Sequence, residues 1–134
     1  MKKLFLLFLL FASITYAQYN NVSTYTVTID SGATVSSALN IRNYNSKIIG
    51  VSVDTTNWTS ANLTIQSYNP STSKWESVVD EDGSAFTITL GAISVPTRVV
   101  LPPTIMAGLD WVKFVSSAAQ DTDDIIIYIH TRPY

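Results

Sequence analysis

Thr24-Tyr25-Thr26-Val27-Thr28-Ile29 decides the fold class. Apolar side chains recur at every second position and hydroxyl residues fill the gaps, the pattern of a strand with one buried face. A helix would need apolar residues three and four positions apart, and no ten-residue stretch after residue 17 shows that spacing.

Further along, Ile49, Val51 and Val53 share one face of a run that ends at Asp54. Leu63 and Ile65 alternate with Asn62, Thr64 and Gln66, which places Tyr68 on the polar face of that strand. Trp75 to Val79 and Phe86 to Leu90 flank Asp80-Glu81-Asp82-Gly83 and predict a hairpin, with the glycine in the left-handed region. Short strands are also predicted through Val35 to Ile41 and at Arg98-Val99-Val100-Leu101. The second stops at Pro102-Pro103, because proline donates nothing to a ladder. Thr104 to Leu109 is one helical turn or a loop, and Trp111 to Val115 and Ile125 to Ile129 are the last two strands. Ile125-Ile126-Ile127-Tyr128-Ile129 is apolar on both faces, as befits a central strand.

Eight to nine short strands spaced by about 8–12 residues predict an all-β chain folded as an antiparallel β-sandwich or barrel. Its core is expected to hold Ile49, Val51, Val53, Leu63, Ile65, Phe114, Ile127 and Ile129.

Composition agrees. The 134 residues are 46% hydrophobic and 13% charged, which excludes a disordered solvating chain. Ser and Thr number 16 each and Val and Ile 12 and 13, a mixture that favours strands. With no cysteine there is neither a disulfide framework nor a thiolate metal site. A net charge of −2 gives no reason to expect nucleic acid as a partner.

Met1-Lys2-Lys3, the apolar run from Leu4 to Ala12 and the small residues ending at Ala17 have the layout of a secretory leader over residues 1–17. Residues 18–134 are then one β-sandwich domain. The apolar run is shorter than the ~20 residues of a spanning helix, so cleavage after Ala17 would leave no stable membrane anchor.

Chemistry is sparse. His130 is the sole histidine, no G-x-S-x-G occurs, and the residue is expected to be solvent-exposed or structural. No catalytic residue, metal site or cofactor is assigned, and an enzyme is not expected. Asp80-Glu81-Asp82-Gly83 and Asp121-Thr122-Asp123-Asp124 have oxygens suited to Ca²⁺, but acidic residues also suit turns, and neither group fits the twelve-residue calcium loop. The aromatics are the remaining candidates. Trp111 is expected in the core, and Trp58 and Trp75 either fill the core or bind. Tyr68 is the residue most expected at the surface. An exposed Trp or Tyr presents a rigid apolar face on which a sugar ring stacks.

Thr28-Ile29-Asp30-Ser31-Gly32-Ala33-Thr34-Val35-Ser36-Ser37-Ala38-Leu39-Asn40 opens a series of short motifs. Ile49-Gly50-Val51, Trp58-Thr59-Ser60-Ala61-Asn62-Leu63-Thr64-Ile65-Gln66, Asp82-Gly83, Leu101-Pro102 and Trp111-Val112-Lys113-Phe114-Val115-Ser116-Ser117 follow in order. Together, over roughly residues 22 to 130, they resemble small β-rich proteins encoded among the structural genes of tailed bacteriophages. The resemblance implies a jelly-roll-like sandwich acting as an accessory virion component, a capsid decoration or fibre-like protein. Its partners would be capsid or other virion proteins and copies of itself, and it brings no catalytic residues. The leader and the aromatics support the alternative, a secreted bacterial carbohydrate-binding or adhesin-like module whose partners are surface glycans and whose binding residues are Trp58, Tyr68 and Trp75.

Overall fold

Thr24–Ile29 forms strand β1, with Val27 and Ile29 buried and the threonines outward. The fold is known from a computed structural model, which describes residues 23–53, 61–91, 97–102, 104–119 and 124–132. The leader at 1–17 and Trp58 lie outside the described residues, as do Asp121, Thr122 and Asp123. The other strands are β2 (Leu39–Asn40), β3 (Ile48–Val53), β4 (Ala61–Asn69), β5 (Lys74–Ser77), β6 (Thr87–Gly91), β7 (Thr97–Val100), β8 (Trp111–Ser116) and β9 (Ile125–Thr131). Among the described residues, the helical content is one 3₁₀ turn at Asn45–Lys47.

Two antiparallel sheets share one core. The first has the order β1-β9-β3-β7, and the second runs β2-β8-β4, with both β5 and β6 on the far side of β4. β5 pairs with Gln66–Asn69 and β6 with Ala61–Thr64, so the two run in the same direction along the same edge. They are therefore the halves of one interrupted strand and not the arms of the expected hairpin. Between them the chain makes a small excursion, closed by Phe86 N–H donating to the Val78 carbonyl at 2.8 Å and Asp80 N–H to Ser84 at 2.9 Å. Gly83, at φ 83°, takes the left-handed position in its turn, as expected. Pairing with β4 wins because it continues an existing ladder, while the excursion holds just one isolated bridge, Val79 to Ala85.

Counting β5 and β6 as one strand leaves eight among the described residues, and their ladders nest. The first pairs the last (β1·β9), the second the seventh (β2·β8), the third the sixth (β3·β7), and the fourth the fifth (β4·β5 and β4·β6). One long antiparallel hairpin has been rolled up, and the extra ladders β3·β9 and β4·β8 appear where its turns meet. That is the jelly-roll order. Ile125–Thr131 is central, as its doubly apolar pattern requires, with β1 on one side and β3 on the other.

The core draws on both inner faces, with Val27, Ile29, Val51, Val53, Ile127 and Ile129 from the first sheet and Leu63, Ile65, Ile88, Val112 and Phe114 from the second. Ile49 departs from expectation. The register slips between Ile48 and Gly50, a bulge that inserts one residue opposite β9. Ile48 thereby becomes the fully buried residue and Ile49 is left half-buried. Thr104 to Leu109 is a run of turns rather than a helix, ending at Gly108 and dropping Met106 into the core. At one edge Tyr25 and Tyr44 stack 3.8 Å apart, and burial, helped by the charge of Tyr25, pushes the Tyr44 hydroxyl up to about 12.

Candidate functional site

The alternation of β4 carries Tyr68 onto the outer face of the second sheet, where it is half-buried. Trp75 is its direct partner on β5, so the two rings share that face, 5.5 Å apart between centroids and tilted by 57°. On the other side of β4 the register runs Leu63 to Ser116 through Ser67 to Val112, and its next step sets Tyr68 opposite Trp111. Trp75, Tyr68 and Trp111 therefore form one row across three neighbouring strands, where adjacent strands lie about 4.8 Å apart. Asn40 on β2, paired with Trp111, ends the row.

One expectation is corrected here and one open reading is resolved. Trp111 is not in the core but 41% exposed, because Val112 and Phe114 take the inner positions of β8. Lys113 has the same parity as Trp111, and that charge was the sequence signal for an outward tryptophan. Trp75, which the sequence left open between core and binding, is half-buried on the outer face, since its pairing with Tyr68 dictates which way it points.

The row has a cation and a cleft. Lys113 Nζ lies 4.4 Å from the Trp75 ring centroid. Beside the row, Ser67, Tyr68, Pro70, Gly108, Asp110 and Trp111 line an open cleft of about 330 Å³. Asp110 is 3.9 Å from Arg42 Nε, an exposed pair that contributes little to stability.

The outer face of the first sheet holds a different cluster. Arg98 Nη2 lies 2.8 Å from His130 Nδ1, and Ser52 Oγ 2.7 Å from His130 Nε2. A guanidinium can donate but not accept, so Nδ1 accepts and the imidazole proton sits on Nε2, which donates to Ser52. The pair is wired in the reverse sense of a nucleophile and its base, because His130 cannot take the Ser52 proton. His130 is buried, not solvent-exposed, since Arg98 crosses over it.

This wiring makes stability depend on pH. Burial, and secondly the Arg98 charge, hold His130 below its ordinary 6.5. Below that value the unfolded chain binds a proton that the folded one refuses. Stability is then full above pH 6.5 and declines as the pH falls through it. Urea midpoints measured from pH 8 to pH 5 should fall in the parent protein, and in His130→Gln this part of the slope should vanish. An unchanged slope in the variant would refute the assignment.

The acidic turn is built for geometry. Ser84 N–H donates to Asp80 Oδ1 at 3.1 Å and to Asp82 Oδ1 at 2.8 Å. A hydrogen bond between the two carboxyls raises the pKa of Asp80 and lowers that of Asp82. Asp124, described at the end of the other acidic group, accepts the Ser31 N–H at 3.0 Å. No protein-family model matches the chain, nor does any curated protein, so its function rests on the chemistry of these faces.

Proposed function

We propose that this is a non-enzymatic recognition protein, and that the row Trp75-Tyr68-Trp111 stacks on the rings of a surface saccharide. The observation that carries the reading is three aromatic side chains aligned on adjacent strands of an outer face, one of them 41% exposed. Cross-strand ring pairing accounts for part of this arrangement, but a flat apolar strip with a polar surround also suits pyranose rings. The jelly roll does not choose the function, because capsid and lectin domains both use it.

A glycan array followed by calorimetry tests the proposal. Tyr68→Ala and Trp75→Ala should each weaken the best ligand by about fivefold, the loss of on the order of 1 kcal/mol of stacking. Both positions face outward, so the fold should survive both changes. Absence of any retained glycan would reject the reading.

The second reading is an accessory virion component, a capsid decoration or fibre-like protein working through contacts with virion proteins or its own copies. It is favoured by the ordered motifs from Thr28 to Ser117 and by β7, an edge strand on which Val100 is 76% exposed. Unpaired edges and exposed apolar groups are what protein partners cover. Sedimentation alone and with capsid proteins separates the two, since a strict monomer without such a partner rules the second reading out.

A further inference from the structure

Lys113 is the one charged residue among the described strand positions of the aromatic face. The others are Thr, Ser, Asn, Gln and Val besides the three rings. Glu76 has the opposite parity to Trp75 and is occupied elsewhere, accepting from Asn69 Nδ2 at 3.1 Å and Thr72 Oγ1 at 2.9 Å. Asp110, at the far end of the row, lies 3.9 Å from Arg42. No carboxylate among the described residues lies within ion-pair distance of Lys113. Its contact is with Trp75, over whose ring the ammonium sits at 4.4 Å.

That position bears on what can stack there. A sugar stacking on the Trp75 face that the ammonium covers must push it aside, which forfeits the cation–π attraction. A neutral sugar offers only hydroxyls in return. A ring bearing a carboxylate or a sulfate gives the displaced ammonium a charged partner, and charge-assisted hydrogen bonds are about twice as strong as neutral ones. The opposite end of the row is suited to the opposite chemistry. Asp110 lines the cleft beside Trp111, where a carboxylate accepts from sugar hydroxyls and repels a second anion.

Resting on the stacking reading, we infer that the ligand is an anionic saccharide, bound with its carboxylate or sulfate at Lys113 and its hydroxyls toward Asp110. The face thus has a polarity, anion at the Trp75 end and neutral sugar at the Trp111 end. The overall negative charge of the chain does not oppose this, because at physiological salt charges beyond about 8 Å are largely screened.

The experiment uses an array that sets uronate-containing and sulfated oligosaccharides beside their methyl-esterified and desulfated counterparts, which keep the same rings without the charge. The parent protein should retain the anionic members and bind the matched neutral ones about tenfold more weakly. Carboxylate and sulfate arms then identify which anion is preferred. Lys113→Met, which keeps the aliphatic stem, should remove the preference by about the same factor, and Lys113→Arg should preserve it. Equal retention of charged and neutral members, or an undiminished preference in Lys113→Met, overturns the inference and leaves ring stacking standing. Retention of no glycan at all removes both.

Discussion

Phe114→Ala is expected to cost about 3–5 kcal/mol of stability, the range for deleting a fully buried phenylalanine. Phe114 is fully buried on β8, with Ile65 as its cross-strand partner on β4. Both its backbone groups are engaged beyond the β4 ladder. Its N–H donates to Ser36 Oγ at 3.0 Å, and its carbonyl accepts the Ser36 N–H at 2.9 Å. The side chain therefore sits on a backbone with few ways to move, and the cavity left by alanine cannot collapse. Whole domains of this size are stable by about 5–15 kcal/mol, so one substitution removes a large share. Phe114→Leu, which keeps most of the volume, should cost less than half as much. Urea unfolding followed by tryptophan fluorescence measures both. A loss under about 1.5 kcal/mol for the alanine variant would mean that the core repacks around the site.

Why this residue was foreseeable and others were not comes down to parity. In β1, β4, β8 and β9 each residue faces opposite to the one before it, so one buried apolar residue fixes the whole strand. Phe114, Leu63, Ile65, Ile127 and Ile129 were legible for that reason, and so was the outward placement of Tyr68. Ile49 was not, because a bulge changes parity and leaves no mark in the residues themselves. Trp75 sits in Lys-Trp-Glu-Ser, where no alternation chooses a face. Its direction comes from pairing with Tyr68, a contact made by the register of another strand. The joined course of β5 and β6 had the same cause. Asp80-Glu81-Asp82-Gly83 is a genuine turn, but turn chemistry says nothing of whether the flanking strands pair with each other or with a third. The aromatic row was thus half visible, with Tyr68 placed, Trp75 left open between core and binding, and Trp111 taken for core. The Ser52-His130-Arg98 cluster was invisible, since its members are 32 and 78 residues apart.

That cluster sets up the second large effect, at Gly50. Glycine in the interior of a central strand is unfavourable, so a position that keeps it has a reason in the neighbours. Here the reason is space. A Cβ on Gly50 would lie 2.8 Å from the backbone carbonyl oxygen of Val99 and 3.5 Å from Arg98 Cγ. Arg98 must pass over β3 to reach His130, and the missing side chain at Gly50 is what lets its stem lie flat. Gly50→Ala should therefore destabilise by about 1–3 kcal/mol, the cost of forcing an extra methyl into a packed site. The stiffer unfolded chain returns only about 0.4–1 kcal/mol of this. Because the closest contact is a carbonyl in the β3·β7 ladder, shortening Arg98 should not relieve it. Gly50→Ala combined with Arg98→Ala is expected to unfold at lower urea than either single variant. If Arg98→Ala instead restores the Gly50→Ala protein, the limiting contact is the flexible arginine stem and β7 is free to shift away from β3.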